Sequence, residues 1–269
     1  MINFYKKYFK RLINGKICWY ILQLRVFKMN HIKFNLNEWV ALSPGLISQQ
    51  DWGDWSKNNC LWPVDLVDVP ANLIKPIMRR RMSSLSKLAL QAALQLSSEK
   101  TVDYIVFSSR HGELTRTVKL IEDIMKGEEA SPMSFSQSVH NTAAGLFTIC
   151  SQRATPVTSI AAVESTLHHA FIEAAVYLQE NPSKQVLVVD FDEPLPTQYA
   201  HYEHSDRNYH GYAFAALLSF GDNTQISWSK NSVQSIDSFP QSLSIIDFLI
   251  QQKRMFSIHD QRLSWSWRR

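Results

Sequence analysis

The chain has 269 residues, 45% of them apolar, which is enough for one large or two small domains with a full core and argues against global disorder. Its formal charge of +4 is unevenly spread: residues 1–28 hold seven Lys or Arg and no acid, leaving 21 basic against 24 acidic residues in the remainder, a net of −3. That mildly acidic body argues against a dedicated nucleic-acid binder, and three cysteines (Cys18, Cys60, Cys150) without CxxC spacing argue against a disulfide framework and for a reducing cytoplasm.

In chain order, Met1–Lys28 is basic and aromatic. Its apolar run Ile17–Phe27 is broken by Gln23 and Arg25, too short to span a bilayer. It reads either as an amphipathic helix for a membrane surface or as an extension foreign to a working protein that starts at Met29. His31–Leu42 alternates as a strand and ends at Ser43, Pro44 and Gly45. Asp51–Pro63 reads as an ordered loop whose Trp52, Trp55 and Trp62 cover apolar surface. Arg79, Arg80 and Arg81 precede a helix capped by Ser84 or Ser86, with Leu88, Ala92 and Leu96 on one face. A triple Arg is ordinarily a solvated face; the sharper reading is a docking patch for an acidic partner.

Val102–Ser109 reads as a buried strand, Leu114–Lys126 as a helix with Leu120, Ile121 and Ile124 inward and Gly127 as its stop, and Pro132–Ser138 as extended. Val139–Gln152 is expected to be a helix with a small face at Ala143, Ala144 and Gly145. A strand at Pro156–Ala161, a turn at Ala162–Ser165 and a helix through Leu167, Phe171, Ala174, Ala175 and Leu178 follow. Such strand–turn–helix elbows are where α/β enzymes present a nucleophile, yet no Cys stands here and the hydroxyls of Ser165 and Thr166 have no evident base. Of His168 and His169, the second is expected to face the core. Gln185–Phe191 and Tyr212–Phe220 are buried-type strands; beyond Gly221 the sequence reads as a polar linker, a helix over Leu243–Phe256 and a terminal LSWSWRR. The order of elements predicts a layered α/β domain. The divisions expected are an extension at 1–28, the domain at 29–222, and a linker with a C-terminal helix and tail at 223–269.

The stretch PVTSIAAVESTLHHA resembles the active-site segment of the β-ketoacyl synthases, members of the thiolase-like superfamily. VHNTAAGLFTI is similar to their helix at the subunit interface, with Asn141, Ala144, Gly145, Thr148 and Ile149 on the pattern, and QVLVVDFDE and GYAFAALLSF resemble the strands closing the first half of that fold. The resemblance covers roughly Lys33–Phe220 and implies a thiolase-like fold, its N-terminal half only, with a mixed sheet. The family's nucleophilic Cys aligns on Glu164 without gaps, or on Val163 with a one-residue shift. The catalytic His residues of the family come from a second half that the resemblance does not reach.

A single half with no Cys at the nucleophile position resembles the chain-length-factor subunit of aryl polyene biosynthesis. That resemblance implies a heterodimer with a catalytic β-ketoacyl synthase, an acyl carrier protein served through that partner, no cofactor and a cytoplasmic location. It further implies that Phe135, His140, Asn141, Thr142 and Leu146 line the interface and the partner's acyl tunnel, and Arg79, Arg80 and Arg81 give a weak carrier-docking patch. The alternative is a free-standing decarboxylase or hydrolase using Glu164 or the His201, Glu203, His204, Asp206 and His210 cluster. A metal there is disfavoured because the spacing lacks the helical HExxH arrangement. A carboxylate at a helix start is explained by the helix dipole alone, so Glu164 reads as structural first.

Overall fold

The computed structural model describes residues 30–269 apart from 204, 206, 234, 235 and 238. The expectations for Met1–Lys28 lie outside the described residues, as do His204 and Asp206 of the His-rich segment.

Seven strands form one mixed sheet. In chain order they are β1 (His31–Leu42), β2 (Tyr104–Ser108), β3 (Val157–Ile160), β4 (Gln185–Asp192), β5 (Tyr212–Lys230), β6 (Met255–His259) and β7 (Leu263–Arg268). The spatial order is β3-β2-β4-β5-β7-β6, with β1 also paired to β5. β3, β2 and β4 run parallel, and β5 returns antiparallel along β4. The central strands read as continuous apolar runs because both faces are covered. On β4, Val186 and Val188 join one core while Leu187, Val189 and Phe191 join the other; on β5, Phe214, Ala216 and Leu218 oppose Ala213, Ala215 and Leu217. This is the two-residue period of a strand dividing its side chains between two layers.

One layer is α3 (Ser84–Ser97) with α6 (Thr142–Ser151). The other contains α7 (Thr166–Glu180), whose Leu167, Ala170, Phe171, Ala174, Ala175 and Leu178 are buried at helical spacing, together with α1 (Gln49–Lys57) and α8 (Gln241–Ile250). The short helices α2 (Pro76–Arg79) and α5 (Pro132–Ser136) and the amphipathic α4 (Leu114–Met125) lie between these in sequence.

Several local expectations are corrected. Asp51–Pro63 begins as helix α1, not loop, because Ser48 and Asp51 form a reciprocal capping box; Trp52 and Trp55 are buried, and the Trp52 indole donates to the Ala41 carbonyl at 2.8 Å. The cap of α3 is Ser83, whose hydroxyl accepts from the Ser86 amide at 2.9 Å. Leu120 is buried in α4, but Ile121 and Ile124 are exposed. Pro132–Ser136 is helical rather than extended, with Pro at its first turn and Ser131 as cap, and α6 starts only at Thr142. His168, not His169, is the core histidine.

The largest correction concerns the C-terminal end. No linker follows Gly221: β5 runs on to Lys230 because the Asn35 side chain of β1 bridges the crossing point, donating to the Phe220 carbonyl at 3.3 Å and accepting from the amides of Asp222 and Asn223, both at 3.1 Å. A Cβ on Gly221 would collide with that carboxamide. The helix expected over Leu243–Phe256 stops at Ile250, where Gln252 turns left-handed (φ 50°), and the hairpin β6–β7 follows. β7 is LSWSWR, and its alternation buries Trp265 and Trp267 while pairing Ile226 with Trp267 and Trp228 with Trp265 across β5. Trp267→Ala should therefore destabilise the fold by about 3–5 kcal/mol. Ser257→Ala, on the exposed side of β6, should leave it within about 0.5 kcal/mol; urea unfolding of the two variants checks the contrast.

Candidate functional site

The carboxyl ends of the parallel strands β2, β3 and β4 converge, the place where open α/β sheets hold ligands. Three arrangements meet there.

The first is a buried polar network. Asp192, at the end of β4, accepts from the Ser109 hydroxyl at 2.9 Å, the Arg110 amide at 3.0 Å, the Arg110 Nε at 3.1 Å and the His111 amide at 3.3 Å. Arg110 also donates to the Tyr209 hydroxyl at 2.8 Å, and Tyr209 donates to Glu203 at 2.7 Å. Burial opposes the charge on Arg110, but Asp192 first, then Tyr212, Tyr209 and Glu203, outweigh it and hold the guanidinium firmly protonated. One turn of the pleat inward, Asp190 accepts from Ser108 and Ser242, each at 2.5 Å. Burial first, and the neighbouring Asp192 second, push its carboxyl up to about 7.

The second is the elbow between β3 and α7. Val163 sits at its apex with φ 53° and is 66% exposed. A β-branched residue in the left-handed region is strained, by about 1–2 kcal/mol. The Thr166 hydroxyl secures the turn, accepting from the Ala162 amide at 2.9 Å and donating to the Val163 carbonyl at 2.6 Å. Glu164 is half-buried and makes no side-chain hydrogen bond or ion pair among the described residues. Of the two positions aligned with a nucleophile, the strained apex is Val163.

The third holds the elbow from behind. The Ser165 hydroxyl donates to Asp260 and accepts from the Trp265 indole at 2.8 Å. Burial opposes the Asp260 charge, but donors from Ser165, Leu263, Arg262 and Trp265 outweigh it and lower its pKa, which makes it a poor general base. Ser165 is thus a buried clamp rather than an attacking hydroxyl. Next along α7, His168 lies flat on Trp265 with centroids 4.3 Å apart. Its Nε2 accepts from the Trp267 indole at 3.0 Å, so Nδ1 carries the proton and donates to Gln241 Oε1 at 2.7 Å. Complete burial pushes its pKa down to about 3.

The remaining expected residues are placed as follows. His140 is half-buried; its Nε2–H donates to the Ser109 carbonyl at 2.8 Å, and Gly112 (φ 56°) leaves room for its ring. Thr142 is buried and donates to the Val139 carbonyl at 2.7 Å. Phe135 and Asn141 are exposed, and Leu146 is half-buried. Arg80 and Arg81 are exposed and Arg79 half-buried. The described residues of the His-rich segment do not converge: His201 lies tilted against Tyr202, Glu203 belongs to the Arg110 network and His210 packs on Trp62. Among the described residues no group of three His, Cys, Asp or Glu side chains is arranged to hold a metal. The clamp residues Asp260, Trp265 and Trp267 escaped the sequence reading, although the SWSW alternation was the visible signal of a half-buried strand.

An elbow at the carboxyl edge of a mixed sheet, backed by two helical layers, is the frame of the thiolase-like fold. Residues 52–268 match the model of the beta-ketoacyl synthase N-terminal domain, and the chain belongs to that family. Among solved structures it is similar to a chain of the ketosynthase (ApeO) in complex with its chain length factor (ApeC) from Xenorhabdus doucetiae. Identity there is 28% and the TM-score 0.79, over 88% of this chain and 100% of that one. The ishigamide ketosynthase/chain length factor matches at 13% identity, TM-score 0.61, over 88% and 98% of the two chains. A type II polyketide synthase acyl-carrier protein in complex with its ketosynthase (AntDE:AntF) matches at 10% identity, TM-score 0.62, over 88% and 99%. The last two likenesses are of fold alone. No curated protein sequence matches the chain. Among the described residues no helix is long and apolar enough to cross a membrane.

Three outcomes test the site's physics. Because His168 stays neutral in the fold down to about pH 3 while the unfolded chain takes up a proton near 6.5, stability should fall as pH drops below 6.5. The drop should be about 1.4 kcal/mol per pH unit relative to His168→Gln in paired urea titrations. Asp190 works in the opposite sense, losing stability as pH rises from about 4 towards 7, and Asp190→Asn should remove that slope. Separately, Val163→Asn, which tolerates the left-handed region, should raise stability by about 0.5–1 kcal/mol in thermal melts.

Proposed function

We propose that this chain is a non-catalytic chain-length factor that pairs with a complete β-ketoacyl synthase and shapes the acyl tunnel of that partner. The observation that carries the reading is the elbow. It keeps the strained left-handed turn but presents Ala162, Val163, Glu164 and a Ser165 already tied to Asp260 and Trp265. Nothing at the apex can accept an acyl group from a thioester. The thiolate nucleophile, the bases and the carrier-protein chemistry then belong to the partner.

Surface chemistry supports pairing. Met133, Phe135, Val139 and Ile149, on or beside α5 and α6, are exposed, as is Val163 at the elbow. Exposed apolar side chains in this number mark an interaction surface more readily than a solvated one. Phe135, Asn141 and Leu146 are the residues we assign to the partner contact; His140 and Thr142 act through the chain's own backbone, fixing the start of α6. The likeness to the X. doucetiae complex, in which a ketosynthase is paired with its chain length factor, supports pairing as such. The absence of a Cys at the elbow and the resemblance to the aryl polyene subunit support our reading of that type of pathway, in the cytoplasm.

Co-expression with the ketosynthase encoded nearby, followed by size-exclusion chromatography, should give a one-to-one complex. Ile149→Asp and Phe135→Asp should each weaken it by about tenfold or more. Condensation of acyl and malonyl thioesters by the chain alone would sink the proposal, as would a stable monomer that ignores the ketosynthase.

A further inference from the structure

A cavity of about 550 Å³ opens between α2 and the start of α3, away from the elbow. Arg79 and Arg80 line it, where Pro76 at the first turn fixes the helix and the Met82 amide, bonded to the Arg79 carbonyl, carries the chain on to α3. Lys87 and Ser84, in the first turn of α3, also line the cavity. None of these three cations makes an ion pair among the described residues. Asp68 is the one carboxylate in the lining, so the cavity carries a net charge of about +2 against mutual repulsion that the protein leaves uncompensated. Arg81 is not part of it; its carbonyl accepts from Arg116 instead. The remaining lining is apolar, from Pro44, Val69, Ala71, Pro76 and Leu88.

Two guanidinium forks and an ammonium around one space suit a tetrahedral dianion better than a single carboxylate. The apolar wall suits a substituent attached to it, and the volume lies in the range of small-molecule pockets. We propose that this cavity binds a small phosphomonoester with an apolar substituent. The inference does not rest on the chain-length-factor reading, and its test is independent of pairing.

Isothermal titration calorimetry of the full chain, with its partner where that is needed for solubility, should detect octyl phosphate and, more weakly, inorganic phosphate. Arg80→Gln should weaken octyl phosphate about tenfold or more. Asp68→Asn should tighten it by a few-fold, since it removes the one repelling charge. Arg81→Gln should leave it unchanged. All three side chains are exposed, so the variants keep the fold, and circular dichroism melts confirm it. No binding of either phosphate overturns the proposal. Equal weakening by Arg80→Gln and Arg81→Gln overturns it too, as diffuse surface charge, and so does weakening by Asp68→Asn.

Discussion

The buried stack of His168 against Trp265 and Trp267 ties the chain's last strand to the helix that follows the elbow. Helix α7 enters the core through its apolar stripe, but an apolar stripe fixes neither the helix's axial position nor the angle of its first turn. Those are set by directional bonds: Ser165 to Asp260, Trp265 to Ser165, and Trp267 to His168 to Gln241. Because β7 is registered on β5, and β5 on β4, the clamp refers the elbow to the middle of the sheet. A satisfied buried polar chain of this kind rigidifies what it holds.

The front of the elbow is fixed by a second network of the same character. Asp192 collects the Ser109 hydroxyl, the Arg110 amide and guanidinium and the His111 amide, and His140 draws the start of α6 onto the same loop. Between these two anchored bodies, Val163 is held in a conformation that its side chain disfavours. In a condensing enzyme, a strained turn serves to expose a nucleophile. On the function proposed above, the turn is retained with Val at its apex because its shape, rather than its chemistry, would be used by the partner. The strain is then a feature of a surface, and its energetic cost is offset by the packing of both networks.

Much of this was legible in the residues. The apolar runs of Gln185–Phe191 and Tyr212–Phe220, the alternation of His31–Leu42 and the helical spacing from Leu167 to Leu178 each carry a period that has one structural solution. The elbow was legible because a strand, small residues and a helix occur in immediate succession. Less legible were the places where a period is short or shared. Asp51–Pro63 looks like a loop by its Asn, Asp and Trp content, and its first part is helical because of one reciprocal cap at Ser48 and Asp51. Ile121 and Ile124 fit an inward face of α4, and yet only Val118 and Leu120 of that helix are covered.

What the sequence determined by itself was the kind of layer each segment belongs to and the identity of the residues at the elbow, since both follow from local side-chain pattern. Tertiary structure alone decided the three features on which the site depends. Gly221 could end a strand or let one pass; the Asn35 side chain, 186 positions before it, makes β5 continuous. Of two adjacent histidines, His168 went inside because β7 brought an indole donor to its Nε2 and α8 brought the Gln241 carbonyl to its Nδ1. Ser165 lost its nucleophilic capacity to Asp260, which lies 95 residues away. Each of these outcomes turns on a hydrogen bond between residues remote in sequence, and a local pattern records which groups need partners but not where in the fold those partners will be.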